Sequence, residues 1–200
     1  SDSVCLVAKT WDFHVDLALG ISLEENIEAI KDSVLSVKAG GKEPLIDCEH
    51  FFDGYKSNSE FSFKCIEAAL ESGAEWVVLC DTNGGTLPSE IFNIVEEITK
   101  KFPGDKIGIH CHNDTENAVA NSLAAIDAGA RHLQGTINGL GERCGNANLI
   151  SIIPTLLLKK EYSEKYEISI NANKLSELKN LSRLVDDILN KHPNNHPVSY

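Results

Sequence analysis

The feature that most constrains this chain is a regular alternation of two hydrophobic patterns. Short apolar runs such as Ala74–Cys80 alternate with longer segments in which apolar residues recur every three or four positions. The first pattern is typical of a strand buried on both faces, and the second is typical of an amphipathic helix. The alternation occurs five times with short connections, which predicts βαβ units and a parallel sheet. Right-handed crossovers leave two architectures, an open doubly wound sheet or a (β/α)₈ barrel.

The five predicted strands lie at Val4–Ala8, Pro44–Glu49, Ala74–Cys80, within Lys106–Asp114, and at His132–Ile137. Helices are predicted after Ser22, over Ser59–Ser72, after Pro88, over Asn117–Ala128, and through about Leu158. The first of these helices has a capping-box pattern, with Ser22 followed three residues later by Glu25.

The pattern changes after Lys160. Residues 161–170 are charged and are predicted to be irregular, and a helix with a broad leucine-rich stripe is predicted near Lys174–Asn190. We expect this helix to pack on the outside of the sheet or on a partner, and we expect His192 and His196 of the tail to be surface residues without a role. The predicted organisation is therefore an alternating α/β unit at 1–160, followed by a linker and helix at 161–200.

Composition excludes some classes of function. Two hundred residues with 42% hydrophobic content are enough for one sizeable core. A net charge of −12 argues against a nucleic-acid surface, and no apolar run approaches the length of a membrane span. The six cysteines have no Cys-x-x-Cys spacing, which favours reduced thiols in a cytoplasmic protein. Because the chain contains no Met and begins with Ser1, we expect it to be a fragment of a longer protein.

The most informative motif is His110-Cys-His112 at the end of a predicted strand. Side chains alternate along a strand, so His110 and His112 face one side and Cys111 faces the other. Two imidazoles on one strand face, roughly 6–7 Å apart, can chelate a divalent metal. The alternative interpretation is a pair of hydrogen-bonded histidines at a strand end.

Other polar residues also follow predicted strands: His14, Asp47, Glu49, His50, Asp81, Thr82, Asn138, Glu142, Arg143 and Asn146. Alternation places Asp47 and Glu49 on one face, where a carboxylate would hold substrate or orient a base, and a solvated strand end is the alternative. Thr82 is a candidate donor to a carboxylate, or else an ordinary turn residue. Cys144 is a candidate nucleophile without a pairing signal. No Gly-x-Gly-x-x-Gly motif opens a helix, which weakens a dinucleotide-binding interpretation.

Five segments carry a family resemblance in a fixed order: Trp11–His14, Asp47–Tyr55, Leu79–Gly85, Gly108–Asp114 and Gln134–Leu149. Together they resemble the citramalate synthase and 2-isopropylmalate synthase branch of the DRE-TIM metallolyases. The resemblance runs from about Val4 to Leu158. The Asp81–Gly85 loop and the His50–Tyr55 run are more similar to the citramalate type.

The resemblance implies part of a (β/α)₈ barrel, about five βα units corresponding to strands four to eight, with a divalent metal (Zn, Mn or Mg) at its mouth. It also implies that 1–160 is the catalytic domain and that the linker and helix at 161–200 lead into a further subdomain. The family's metal ligands fall on His110, His112 and Asn146, and its 2-oxo-acid contacts fall on His14, Glu49 and Thr82, with Glu49 as the catalytic candidate. The family's first-strand Asp-Arg-Glu-like motif, which supplies an aspartate ligand, has no counterpart in this sequence.

The implied reaction joins acetyl-CoA to a 2-oxo acid in a Claisen-type condensation of branched-chain amino-acid biosynthesis, and no residue stands out as its base. Pyruvate is the favoured 2-oxo acid, with 2-oxoisovalerate as the other candidate. A lyase of the same superfamily and a non-catalytic assembly module remain alternatives. We expect the isolated fragment to be inactive and to bind metal weakly. Two unpaired sheet edges, near Val4–Ala8 and His132–Ile137, predict a homodimer or higher self-association.

Overall fold

The five predicted strands form one parallel sheet whose spatial order follows the chain, β1-β2-β3-β4-β5. The computed structural model describes residues 1–192. The strands are β1 Ser3–Lys9, β2 Glu43–Glu49, β3 Trp76–Asp81, β4 Ile107–Cys111 and β5 His132–Gln134. The predicted α/β class and parallel sheet are confirmed. A doubly wound sheet reverses its strand order at a switch point, and these five strands show no reversal, which favours the barrel type.

Helices connect the strands. They are α1 Asp12–His14, α2 Leu23–Ala39, α3 Phe51–Ser57, α4 Ser59–Glu71, α5 Pro88–Lys101, α6 Ala118–Asp127, α7 Leu149–Leu158, α8 Lys160–Ser163 and α9 Leu178–Ile188. A π-helical turn at Val15–Leu19 and 3₁₀ turns at Gly104–Lys106, Ile137–Gly139 and Ala172–Glu177 complete the described elements.

The capping box predicted at the start of α2 is present. The Glu25 amide donates to Ser22 Oγ at 3.1 Å, and the Ser22 amide donates to the Glu25 carboxylate at 2.8 Å. These bonds satisfy two of the amide groups that a helix start leaves unpaired. Pro88 occupies the first turn of α5, where its missing N–H is not needed.

The two faces of the sheet differ in chemistry. The face that packs on the helices is apolar and fully buried, with Ile46 and Cys48 of β2, Leu79 of β3 and Ile109 of β4 at its centre. The opposite face carries the alternate residues, among them Asp47, Glu49 and His110. The core therefore lies between sheet and helices, and the polar residues lie on the other side.

A cross-sheet hydrogen bond shows that this second face is concave. Gln134 Nε2 of β5 donates to Asp47 Oδ1 of β2 at 2.9 Å. In a flat sheet β2 and β5, which are separated by β3 and β4, would lie about 14 Å apart, beyond the combined reach of the two side chains. The sheet must curl toward the polar face, as it does in part of a barrel.

The structure corrects three details of the expected secondary structure. Strand β5 ends at Gln134 and not at Ile137, because Thr136 pairs only in an isolated bridge with Asn148 and the chain then turns at Asn138 with φ 62°. The short helix α3 was not expected after β2. A short helix, α8, begins at Lys160 and occupies the start of the segment that was expected to be irregular.

The C-terminal helix is shorter than predicted and faces differently. It runs over Leu178–Ile188 after a 3₁₀ turn, and its buried residues are Leu178, Ser182 and Asp186. Polar bonds hold this face, since Ser182 Oγ donates to Asn138 Oδ1 at 2.6 Å. The predicted apolar stripe is largely exposed, so it does not pack on the sheet.

Some expectations concern the tail and the membrane. His192 is exposed, as predicted, and His196 lies outside the described residues. Across residues 1–192 no helix is long and apolar enough to cross a membrane.

Candidate metal and substrate site

His110 and His112 stand at the carboxyl end of β4, on the concave face. Their ring centroids lie 5.1 Å apart, so the two imidazoles are neighbours, as the alternation predicts. Their surroundings differ. His110 Nδ1 lies 2.8 Å from Gln134 Oε1, whereas His112 Nδ1 is buried and has no hydrogen-bond partner within residues 1–192. Burial lowers the pKa of His112, and nearby His110 and Arg143 lower it further, which favours the neutral imidazole that metals bind.

Asn146 is brought to the same place by the loop that follows β5. Its backbone pairs with that of His112 in an isolated antiparallel bridge, which sets the two residues directly opposite one another. The loop is held by backbone bonds to β4, since the Ala147 amide donates to Cys111 O at 3.0 Å. Asn146 Nδ2 donates to Leu140 O at 3.0 Å, and this bond fixes the orientation of the side-chain amide.

Two buried atoms of the predicted ligand set have the chemistry of cation ligands. Asn146 Oδ1 is buried and, like His112 Nδ1, has no hydrogen-bond partner in the described part of the chain. Buried polar atoms usually have a partner, and a cation between the two opposed residues would satisfy both atoms. Imidazole nitrogen and amide oxygen suit a divalent cation. No group of three His, Cys, Asp or Glu side chains in residues 1–192 has metal-binding geometry. The candidate set differs from such a group because its third member is the amide of Asn146.

Asp47 and Gln134 lie beside this cluster and extend it across the sheet. Gln134 contacts Asp47 through Nε2 and His110 through Oε1. The thiol of Cys5 is also close to Asp47. Partial burial of the thiol and the negative charge of Asp47 together raise the pKa of Cys5 to about 12. This part of the concave face is therefore a continuous hydrogen-bonded network.

Glu49 lies at the same level on β2, two strands away from His110. Strand register gives this placement, because Cys48 pairs with Leu79 and Cys80 pairs with His110. The Glu49 carboxylate forms an ion pair with Lys9 at the end of β1. Both side chains are about one quarter exposed (27% and 26%), so the predicted catalytic carboxylate remains accessible.

Thr82 lies in the loop after β3 and contacts the chain after β2. Its Oγ1 accepts a hydrogen bond from the His50 backbone amide at 2.8 Å. A hydroxyl that accepts in this way keeps its own proton free to donate, which is the role expected of Thr82. Thr82 O also accepts from Arg143 at 2.6 Å, which connects Thr82 to the loop of Asn146.

His14 follows β1 in α1 and joins an aromatic cluster with Trp11, Phe13 and His50. Its ring centroid lies 4.4 Å from that of His50 in an edge-on arrangement. Burial lowers the pKa of His14, and His50 lowers it further. The Nδ1 atom of His14 and the Nε1 atom of Trp11 are buried without hydrogen-bond partners among residues 1–192. His14 thus belongs to the half of the rim formed by β1 and β2.

Several residues named from the sequence serve other contacts. Asp81 is buried on the helix side, where it accepts hydrogen bonds from Thr86 at 2.8 Å and from Asn121 at 3.3 Å. Asn138 binds α9, since its Nδ2 donates to Ser182 O at 2.9 Å. Arg143 binds both Asp114 carboxylate oxygens, at 2.8 and 3.0 Å, and Cys144 is exposed. These residues shape the rim and do not line the concave face.

Two contacting residues escaped the sequence-based prediction, Gln134 and Lys9. Gln134 begins a segment that the family resemblance includes, and its alternate spacing from His132 predicts an inward side chain. Its partner Asp47, however, is 87 residues away in the sequence, and no local pattern signals such a bond. Lys9 ends β1 directly opposite Glu49, a pairing that only strand register reveals.

The fold and this rim define a class, an α/β protein with a curved parallel sheet and a polar site at the carboxyl ends of its strands. Comparison with known proteins makes the class specific. The family model for HMGL-like proteins matches residues 1–185. The chain belongs to the HMGL-like family, and the resemblance found in the sequence is confirmed.

Curated relatives include two groups of synthases. The chain is 51% identical over 195 residues to an (R)-citramalate synthase of Aquifex aeolicus, covering 97% of this chain and 36% of the relative. It is 32% identical over 169 residues to a 2-isopropylmalate synthase of the same organism, covering 83% of this chain and 32% of that relative. The chain thus spans about a third of the length of the curated relatives it matches.

Solved structures support the fold. An HMG-CoA lyase of Bacillus subtilis superposes with a TM-score of 0.80 at 21% identity, covering 98% of this chain and 66% of the lyase chain. A second HMG-CoA lyase, from Acinetobacter baumannii, superposes with a TM-score of 0.74 at 21% identity. The superposition covers 97% of this chain and 64% of the lyase chain. At this identity the likeness concerns the fold alone.

Proposed function

We propose that the protein to which this chain belongs is a metal-dependent acyltransferase that condenses acetyl-CoA with a 2-oxo acid. Pyruvate, giving citramalate, is the favoured substrate, and 2-oxoisovalerate, giving 2-isopropylmalate, is the other candidate. The observation that carries the proposal is the pair of unsatisfied buried atoms, His112 Nδ1 and Asn146 Oδ1, on opposed residues beside His110. Identity of 51% to a citramalate synthase, against 32% to an isopropylmalate synthase, favours pyruvate.

In this proposal His110, His112 and Asn146 hold a divalent cation such as Zn²⁺, Mn²⁺ or Mg²⁺. When bound, the cation supplies a Lewis acid for the carbonyl of the 2-oxo acid. The concave face offers these three groups on one side, and each of the three residues is half-buried. Any aspartate ligand of the kind the family resemblance implies would be additional to this set.

The remaining rim residues are proposed to bind and orient the 2-oxo acid. Thr82 has a free hydroxyl proton with which to donate to the substrate carboxylate, because its oxygen already accepts from His50. His14 presents a neutral imidazole beside His50. Glu49, accessible and two strands from His110, binds the substrate or orients the base that removes a methyl proton of acetyl-CoA.

The order of the strands supports a finer assignment. We place this chain at strands four to eight of a (β/α)₈ barrel, with 1–160 as the barrel portion and 161–200 as the connection to a further subdomain. Five consecutive parallel strands with polar residues at their carboxyl ends are the arrangement of such a barrel. We also propose a cytoplasmic location, in keeping with six free cysteines and a biosynthetic reaction.

Two open sheet edges support self-association. In the described residues β1 pairs only with β2, and β5 pairs only with β4. Unpaired edges recruit other strands, so we propose that the 200-residue chain by itself forms a homodimer or a higher assembly. Light scattering of the 200-residue chain at several concentrations should give a mass above that of the monomer. A monomer mass at all concentrations would reject the assembly.

The activity is tested by CoA release. The intact protein, incubated with acetyl-CoA, a divalent metal and either 2-oxo acid, should release CoA and form the 2-alkylmalate, with pyruvate as the faster substrate. The 200-residue chain alone should release none. No CoA release by the intact protein with any 2-oxo acid would reject the proposal, and cleavage of a 3-hydroxyacyl-CoA would assign a lyase instead.

A further inference from the structure

Asp47 and Gln134 form a bridge across the concave face that ends on His110. The bridge contains two hydrogen bonds, 2.9 Å from Gln134 Nε2 to Asp47 Oδ1 and 2.8 Å between Gln134 Oε1 and His110 Nδ1. It spans β2, β4 and β5, and the proposed function gives no role to either Asp47 or Gln134. The bridge ends on one of the candidate metal ligands, so it could affect how that ligand binds.

Donor and acceptor chemistry fixes the direction of the bridge. An ionised carboxylate only accepts hydrogen bonds, so Gln134 must turn its NH₂ group toward Asp47. The amide oxygen of Gln134 then necessarily faces His110. Because an amide oxygen only accepts, the partner atom His110 Nδ1 must carry the proton. The neutral ring therefore has its lone pair on Nε2.

We infer that Asp47 and Gln134 are positioning residues that hold His110 in the Nδ1–H tautomer, so that its Nε2 is free to bind the cation. The inference rests on the proposed function only in taking a divalent cation as the occupant. A histidine ligand is normally oriented by the hydrogen bond of its other nitrogen, and losing such a partner typically costs 10- to 100-fold in metal affinity. Here the partner is an amide whose own orientation is set by a carboxylate from another strand.

Local packing is consistent with a fixed bridge. His110 and Gln134 occupy paired register positions on β4 and β5, so their side chains stand next to each other on one face. The Asp47 side chain is half-buried between its neighbours, and Val7 of β1 lies at the paired position on its other side. Val7 has no part in the bridge and is 69% exposed, which makes it a suitable control position.

The first test reads the tautomer directly, in metal-free intact protein labelled with ¹⁵N in the imidazole rings. Long-range ¹H–¹⁵N correlation spectra at pH 8, with His110 assigned by its His110→Asn variant, should show the proton on Nδ1. The Gln134→Leu variant removes both bonds, so His110 should change to the Nε2–H form that an unconstrained neutral imidazole favours. The Gln134→Glu variant still accepts from Nδ1 and should keep the original form.

The Asp47→Asn variant tests the direction of the bridge. An asparagine can donate to Gln134 as well as accept, so the glutamine amide is free to flip and the Nε2–H population of His110 should rise. This variant also keeps the inference testable if Gln134→Leu fails to fold. The Val7→Ala variant should leave the tautomer unchanged.

The second test measures Zn²⁺ affinity by competition with a chelating dye, which does not depend on turnover. Gln134→Leu should bind Zn²⁺ 10- to 100-fold more weakly, and Val7→Ala should bind it as the wild type does. A proton on Nε2 of His110 in the wild type, an unchanged tautomer in Gln134→Leu, or equal affinities would overturn the inference. Absence of CoA release would reject the proposed reaction and leave the tautomer result untouched.

Discussion

The two halves of the rim contrast in how their polar residues are held. In the β4–β5 half, His110, Gln134 and Asn146 are fixed by bonds within this chain, including the two bonds of Gln134. In the β1–β2 half, the ion pair of Lys9 with Glu49 is partly exposed, and Val7 faces open space on the concave side. The contrast teaches that His110 and Asn146 of the candidate metal site are preorganised by hydrogen bonds, whereas the candidate substrate contact Glu49 lies near the open edge of the sheet.

The largest expected effect comes from removing a candidate metal ligand of the β4–β5 half. In the intact protein, His112→Ala should lower kcat/KM for CoA release about 10³-fold, because a lost ligand removes several kcal/mol of transition-state stabilisation. Metal content after gel filtration should fall in parallel. His192→Ala, which alters an exposed histidine, is the matched control and should be neutral. Activity of His112→Ala within tenfold of the wild type would show that the cation is held elsewhere.

A second substitution tests how tightly the Asn146 loop is packed. Gly145 has φ +93°, and a Cβ added there would lie 2.0 Å from Gly139 O. Strain and steric overlap together should lower the free energy of unfolding by about 3 kcal/mol in Gly145→Ala. Gly85→Ala, whose added Cβ meets nothing within 4 Å, should change it by no more than about 0.5 kcal/mol. Urea denaturation measures both, and equal midpoints would contradict a tight loop.

Thiol labelling compares the halves through two exposed cysteines, Cys5 at the β1 edge and Cys144 in the loop after β5. Although Cys5 is accessible to solvent, partial burial of its thiol and the charge of Asp47 together raise its pKa from 9.0 to about 12. At pH 8 Cys5 therefore has about 10³-fold less thiolate than a thiol of pKa 9.0. The thiolate of a thiol with a higher pKa is the stronger nucleophile, which offsets part of this difference. Cys5 should react about 30-fold more slowly than a thiol of pKa 9.0.

Iodoacetamide with peptide mass spectrometry gives the two rates, and Cys144 should be alkylated first. The Asp47→Asn variant should speed alkylation of Cys5, because it removes a negative charge that disfavours the thiolate. Faster labelling of Cys5 than of Cys144 in the wild type would contradict the described surroundings of Cys5.

The smallest expected effect concerns the β1–β2 half of the rim. Lys9→Met removes a partly exposed ion pair and should lower the free energy of unfolding by about 0.5–1 kcal/mol. Lys31→Met, which removes the pair with Glu28 on the surface of α2, is the control and should change stability less than Lys9→Met does. A loss above about 2 kcal/mol for Lys9→Met in thermal or urea denaturation would show that this half is as tightly held as the other.

The sequence by itself determined the parallel α/β class, the capped start of α2 and the common face of His110 and His112. These features depend on local periodicity and on groups a few residues apart, so the residue pattern is sufficient. The pattern extends β5 three residues too far, because the bridge of Thr136 to Asn148 and the turn at Asn138 involve residues brought together by the loop.

Only the tertiary structure decided which polar residues meet. The bond from Gln134 to Asp47 joins residues 87 apart and exists because the sheet curls, and curvature is a property of five strands together. The C-terminal helix shows the same limit, since its apolar stripe predicted burial whereas Ser182 faces inward to bind Asn138. Hydrophobic pattern selects helix and strand, but long-range partners are selected by the shape into which those elements pack.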